Sequence, residues 1–80
     1  MKKHSVSIAG HRTSISLEAP FWDELNRIAQ EEGRSLASLI AEIDRDRIAQ
    51  RSEPRNLSSA LRLHVLQRLQ EEKNRALGRA

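Results

Sequence analysis

The segment from His11 to Leu17 most constrains what this chain can fold into, because it predicts one β-strand in a chain that is otherwise helical. Its side chains alternate, so that one face carries Thr13, Ile15 and Leu17 and the other carries Arg12, Ser14 and Ser16. A single strand cannot satisfy its own backbone hydrogen bonds. The strand therefore needs a partner, and we expect a second copy of the chain to supply it.

The residues before Gly10 carry a weaker alternation with a different phase. Val6 and Ile8 are apolar at even positions, whereas Ile15 and Leu17 are apolar at odd positions. Such a change of phase needs a bulge or a turn, and Gly10 suits either one. A bulged or extended strand and a hairpin within the chain both fit this pattern. The predicted fold takes the first of these, with one β-strand per chain.

Two amphipathic segments follow the strand and predict two helices. The first runs from Pro20 to Glu32, because the missing N–H of proline costs nothing at a helix start. Gly33 favours the left-handed conformation that ends a helix. Ser35 is a good N-cap for the second helix, which we expect to end near Gln50.

A third helix is predicted after a short linker that contains Pro54. Asn56 is suited to cap this helix, and Leu57 begins it. The fold class is therefore mostly α, in the order β-α-α-α. The expected organisation is a basic arm or strand extension over residues 1–10, a core over 11–50, a linker over 51–56, and the third helix with a polar tail over 57–80.

Size and composition indicate that the chain needs a partner for stability. Its 80 residues include no cysteine, and Phe21 and Trp22 are its only large aromatic residues. Chains this short seldom hold a core worth more than about 3–5 kcal/mol on their own. Because disulfides are excluded, oligomerisation is the expected source of further stability.

The net charge of +3 is unevenly distributed along the chain. No acidic residue precedes Glu18, whereas Lys2, Lys3 and Arg12 all do. A basic segment without acids favours a polyanionic partner. The start lacks the apolar run of a signal peptide, and no window is apolar enough for a transmembrane span. We therefore expect a cytoplasmic protein that does not bind membranes.

Nothing in the sequence indicates catalysis, a metal or a cofactor. His4, His11 and His64 are scattered, without the spacing of a metal site. The chain has no glycine-rich phosphate loop and no nucleophile elbow. We expect a protein that is not an enzyme, with no catalytic residue, no metal site and no cofactor.

The strand, the helix opened by proline, the Gly33-Arg34-Ser35 turn and the second helix together resemble the ribbon-helix-helix family, the MetJ/Arc repressor superfamily. The resemblance covers roughly residues 11–48, and the added third helix is similar to that of a bacterial branch of the family. It implies an intertwined homodimer whose two strands pair into an intermolecular antiparallel ribbon. Such ribbons enter the major groove of double-stranded DNA.

The resemblance also implies which residues bind DNA and which form the dimer. The base contacts fall on Arg12, Ser14 and Ser16, and Arg12 is the strongest candidate because it can form two hydrogen bonds to guanine. The phosphate contacts fall on Lys2, Lys3, Arg34 and Ser35. The dimer core is expected to contain Ile15, Leu17, Trp22, Leu25, Ile28, Leu36, Leu39, Ile40 and Ile43.

Two functions remain open from the sequence. The first is a dimeric, sequence-specific or semi-specific DNA-binding protein that regulates transcription. The alternative is a protein-interaction or antitoxin-like module that dimerises through the same fold and binds a protein partner through residues 57–73. The third helix has a simpler interpretation as well, since it can bury Leu61, Val65 and Leu69 to enlarge a thin core.

Overall fold

The computed structural model describes residues 2–8, 10–50 and 56–78. Two strands, β1 (Lys2–Ile8) and β2 (His11–Leu17), precede three helices, α1 (Ala19–Glu31), α2 (Leu36–Gln50) and α3 (Leu57–Ala76). Most of the expected linker, residues 51–55 with Pro54, lies outside the described residues.

The two strands form an antiparallel hairpin within one chain. Their pairing runs from Lys2 opposite Leu17 to Ile8 opposite His11. Gly10 lies between the strands with a φ of +82°, a left-handed conformation that glycine adopts without strain. The prediction of one strand per chain is therefore wrong, because each chain has two strands and β1 pairs with one edge of β2. Pairing of β2 with a second copy stays a prediction.

The register of the hairpin explains the change of phase at Gly10. In every pair the two residue numbers add to 19, as 6 and 13 do for Val6 and Thr13. An even position in β1 thus lies opposite an odd position in β2, and residues that lie opposite each other project from the same face of the ribbon. Val6 and Ile8 consequently share the inner face with Ile15 and Leu17.

The inner face of the ribbon packs on all three helices to form one core. Its buried residues are Ile8, Ile15, Leu17, Leu25, Ile28, Ala29, Leu39, Ile40, Ile43, Ala60, Leu61 and Val65. Seven of the nine residues expected in the dimer core belong to this set, and Trp22 and Leu36 pack against it partly buried. These side chains therefore form the core of one chain, and a contact with a second chain stays a prediction.

The helix boundaries follow the capping residues seen in the sequence. Helix α1 begins one residue before Pro20, which lies in its first turn. Gly33 has a φ of +69° just after the helix. The Ser38 N–H donates to Ser35 Oγ at 3.1 Å. Asn56 Oδ1 likewise accepts from the Ser59 N–H at 2.8 Å, so the predicted caps of α2 and α3 are confirmed.

Helix α3 contacts the ribbon as well as the other helices. Its Ser58 hydroxyl donates to the Ser16 carbonyl at 2.8 Å. Arg62 donates to both carboxylate oxygens of Glu18, at 2.9 and 3.1 Å. Leu61 and Val65 are buried as expected, but Leu69 is 39% exposed, so its predicted burial is wrong.

Candidate nucleic-acid interface

The outer face of the ribbon is a two-stranded polar surface that one chain builds by itself. Three pairs of opposite residues make up this outer face: Lys3 with Ser16, Ser5 with Ser14, and Ser7 with Arg12. All of these residues are exposed except Ser16, which is half-buried. The outer face thus carries two cations near opposite ends and four hydroxyl groups.

The positive charge of the outer face has no acidic counterpart among the described residues. No carboxylate forms an ion pair with Lys3 or Arg12 there, and no acid occurs in either strand. The arginines on the helices differ, because Arg27, for instance, lies 2.8 Å from Glu24 and 2.6 Å from Glu31. The ribbon therefore concentrates positive charge that the rest of the fold does not neutralise.

The predicted base-contact residues lie together on this outer face. Arg12 and Ser14 are exposed. Ser16 is less accessible, and its carbonyl is engaged by Ser58 of α3. Sequence reasoning missed Ser5 and Ser7, which contribute hydroxyl groups from β1. The change of phase at Gly10, taken as a hairpin, would have placed them there.

The two N-terminal lysines lie on different faces of the ribbon. Lys3 is opposite Ser16 on the outer face, whereas Lys2 is opposite Leu17, at a position that belongs to the inner face. Both side chains are exposed. Of the two expected phosphate contacts at the N-terminus, only Lys3 thus belongs to the outer face, and the roles of both stay predictions.

The start of α2 is less positive than its sequence indicates. Arg34 Nη2 lies 2.6 Å from Glu42, and its Nε lies 3.0 Å from Glu32. The hydrogen bond from Arg34 lowers the pKa of the Glu42 carboxyl below its usual range. Two carboxylates therefore already compensate this guanidinium, and Ser35 acts as the helix cap. Phosphate contacts by Arg34 and Ser35 stay predictions.

A ring stack holds the open end of the ribbon against α1. The imidazole of His4 lies parallel to the Trp22 indole, with 3.8 Å between ring centroids and 8° between planes. His4 is opposite Ile15 on the inner face, and Ile15 is only 2% exposed. The inner face is thus fixed to the helices, which leaves the outer face directed away from the core.

A shallow groove between α2 and α3 is the other surface feature of note. It is lined by Ile43, Asp46, Arg47, Gln50, Ala60, Leu63, His64 and Gln67. His64 is half-buried there, and burial lowers the pKa of its imidazole. Beside the groove, Leu63 and Leu66 of α3 are 43% and 48% exposed.

Within residues 2–8, 10–50 and 56–78, no three histidine, cysteine or acidic side chains lie close enough to share a metal ion. None of the helices in the described part of the chain combines the length and apolarity that crossing a membrane requires.

Comparison with known families gives one match. A family model described as a ribbon-helix-helix domain matches residues 1–69, which include both strands, α1, α2 and the first part of α3. Domains of this kind generally dimerise and bind DNA, and they are typically regulators rather than enzymes. Comparisons with curated proteins and with solved structures found no match.

Proposed function

Because the chain belongs to the ribbon-helix-helix family, we propose that it binds double-stranded DNA and regulates transcription by inserting its ribbon into the major groove. The observation that carries this proposal is the exposed outer face, whose Lys3 and Arg12 have no carboxylate partner among the described residues. We propose that the protein is a cytoplasmic homodimer that needs no cofactor, metal ion or catalytic residue.

The dimensions and side chains of the ribbon suit this groove. Paired strands lie about 4.8 Å apart, and the major groove is about 12 Å wide and admits a two-stranded ribbon. The serines at the centre of the outer face, Ser5 and Ser14, are short, so the backbone of the ribbon can approach the base edges closely. Arg12 is long enough to reach guanine and can donate two parallel hydrogen bonds to its O6 and N7.

The same side chains set the expected balance of affinity and specificity. Lys3 supplies charge for the phosphate backbone, and Arg12 adds to the positive potential of the outer face, so the affinity should fall with salt. Serine hydroxyls both donate and accept hydrogen bonds, so they discriminate weakly between bases. We therefore propose semi-specific binding in which Arg12 makes the main base contact and Ser14 and Ser16 make lesser ones.

Replacing Arg12 with alanine tests this function. The matched control is Arg45→Ala, which removes the same charge from an exposed position on α2 rather than on the ribbon. A good bidentate contact is worth about 1–3 kcal/mol, so Arg12→Ala should weaken binding to a duplex selected from a randomised pool by about 5- to 150-fold. Arg45→Ala should change binding much less.

Gel-shift titrations at several salt concentrations measure both variants against the wild type. If Arg12 contacts a base, its loss should also relax the preference for the selected duplex over a scrambled one. If the two arginine variants bind the selected duplex equally well at every salt concentration, the outer face is not the DNA-binding surface.

A second candidate function comes from α3, where Leu63 and Leu66 are about half exposed beside the α2–α3 groove. Such a surface is typical of a protein-interaction or antitoxin-like module that binds its partner through residues 57–73. Truncating the chain before α3 would not test this role, because Ala60, Leu61 and Val65 belong to the core.

Surface substitutions test the second function without removing α3. The double variant Leu63→Glu, Leu66→Glu leaves the core residues in place, and co-purification from the native host compares it with the wild type. Loss of a stoichiometric protein partner with unchanged DNA binding would assign a docking role to α3. Identical co-purification would eliminate this candidate.

A further inference from the structure

We propose that helix α3 orients the ribbon for DNA binding and that Arg62 is its main positioning residue. This inference rests on the proposed function, because it concerns how the outer face is directed toward the bases. Along the chain, the ribbon is joined to the helices through Glu18, which lies between the end of β2 at Leu17 and the start of α1 at Ala19. Residues 16–19 therefore form the ribbon joint, where the direction of the ribbon is set.

Helix α3 forms hydrogen bonds with the ribbon joint on both sides of Leu17. The Ser58 hydroxyl donates to the Ser16 carbonyl at 2.8 Å. Arg62 Nε donates to Glu18 Oε1 at 2.9 Å, and its Nη2 donates to Oε2 at 3.1 Å. This is the bidentate geometry of an arginine–carboxylate pair. Since Leu17 is itself 0% exposed, three consecutive residues are held by α3 or by the core.

Directional contacts matter at this joint because apolar packing does not fix an angle by itself. Burial of Ile15 and Leu17 determines which face of the ribbon is the inner one, but the hydrophobic effect has no preferred direction. Hydrogen bonds, in contrast, weaken steeply when donor and acceptor are misaligned. The rigid fork of Arg62 fixes both oxygens of the Glu18 carboxylate, so this pair limits rotation of the ribbon about its joint.

The distance between the joint and Arg12 makes this orientation important for the proposed base contact. Arg12 lies five residues before Leu17 in the same strand, about 17 Å at the rise of an antiparallel strand. A rotation of about 10° at the joint would move Arg12 by about 3 Å over that length. Such a displacement is larger than a hydrogen bond to guanine tolerates. Helix α3 therefore acts on base recognition through the position of Arg12.

Replacing Arg62 with lysine tests the geometry of this contact without changing its charge. Lysine keeps the positive charge but cannot form two parallel hydrogen bonds to a carboxylate. The matched control is Arg68→Lys on the same helix. The guanidinium of Arg68 lies 2.8 Å from Glu32 and 3.1 Å from Glu31, at the opposite end of α1 from the ribbon joint. Each variant thus weakens ion pairs of α3, but only Arg62→Lys loosens the joint.

Gel-shift titrations compare a duplex that the wild type selects from a randomised pool with a scrambled duplex. We expect Arg62→Lys to reduce the preference for the selected duplex by about 2- to 12-fold for each base hydrogen bond that is misplaced. The salt dependence of the affinity should equal that of the wild type, because it reports phosphate contacts and no charge has changed. Arg68→Lys should leave both quantities unchanged.

A double-variant cycle with Arg12→Ala tests whether Arg62 acts through the base contact. Without Arg12 the ribbon has lost its main base contact, so adding Arg62→Lys should change the preference by less than about twofold. Urea denaturation followed by circular dichroism establishes that each variant is folded. Ser58→Ala removes the other contact between α3 and the joint without changing a charge, and it repeats the test if Arg62→Lys does not fold.

Three results would overturn the inference while leaving the proposed function intact. In the first, Arg12→Ala reduces the preference for the selected duplex but Arg62→Lys does not. In the second, Arg62→Lys and Arg68→Lys reduce it equally, and in the third, Arg62→Lys has the same effect with and without Arg12. If the wild type retains no duplex, the proposed function itself fails and this inference fails with it.

Discussion

The substitution Leu61→Ala tests the packing of α3 in the fold most directly. Leu61 is 0% exposed within the core. Replacing leucine with alanine removes three carbon atoms, worth about 2.4 kcal/mol at about 0.8 kcal/mol for each buried methylene. The cavity left behind adds to this loss, so we expect the free energy of unfolding to fall by about 2–5 kcal/mol.

Leu66→Ala is the matched control, because Leu66 lies on the same helix but is 48% exposed. The two substitutions change intrinsic helix propensity equally. Their difference therefore isolates the burial of Leu61. We expect Leu66→Ala to cost about 1 kcal/mol or less, which leaves a difference of at least about 1 kcal/mol between the variants.

Urea denaturation followed by far-ultraviolet circular dichroism measures both free energies. An 80-residue domain has a total stability of about 4–12 kcal/mol, so Leu61→Ala should remove a large part of it. In thermal melts each 1 kcal/mol lost lowers Tm by about 4–8 °C in a domain of this size. Equal unfolding free energies for the two variants would refute the packing of α3 against the core.

Two further predictions concern His64 and Gly10. Burial lowers the pKa of His64 below its usual 6.5, so the unfolded state takes up the proton first and the free energy of unfolding should fall as pH drops below about 6.5. In urea denaturation between pH 7 and 5, the free energy of unfolding of His64→Gln should depend less on pH than that of the wild type. An equally weak pH dependence in the wild type would contradict this prediction. Gly10→Val should cost about 1–2 kcal/mol because φ is +82° with open space around the Cβ position. Gly10→Asn should cost less. Equal Tm values for the wild type and both Gly10 variants would argue against this turn.

The orientation of β2 and the helix caps could be predicted from the sequence because they depend on local chemistry. Alternation alone separates the exposed Arg12 from the buried Ile15. A serine or asparagine before an apolar helix start caps its own helix, as Ser35 and Asn56 do. Neither prediction depends on contacts with residues that are distant in the sequence.

The strand partner could not be predicted in the same way, since backbone hydrogen bonds are the same within a chain and between chains. The sequence feature that bears on the hairpin is the change from even to odd apolar positions across Gly10. A two-residue connection pairs residue 8 with residue 11, so the inner face must pass from even to odd numbers. A single bulge also changes the phase, and the sequence left these alternatives equal.

The apolar face of α3 was predicted too broadly for a related reason. Between residues 61 and 69, leucine or valine occupies positions 61, 63, 65, 66 and 69, and at 3.6 residues per turn these positions cover more than half of the helix circumference. Periodicity then cannot select the side that faces the core. The structure buries Leu61 and Val65 and leaves Leu66 and Leu69 partly exposed.

The segment without acidic residues coincides with the hairpin. The acid-free segment ends at Glu18, the first residue after β2, so its limit coincides with the end of the ribbon. The carboxyl group of Glu18 accepts hydrogen bonds from Arg62, which lower its pKa and pair its negative charge with a cation. The nearest acid in sequence is therefore compensated at neutral pH. Both strands thus contribute to one positive surface, as binding of a polyanion by the intrachain ribbon requires.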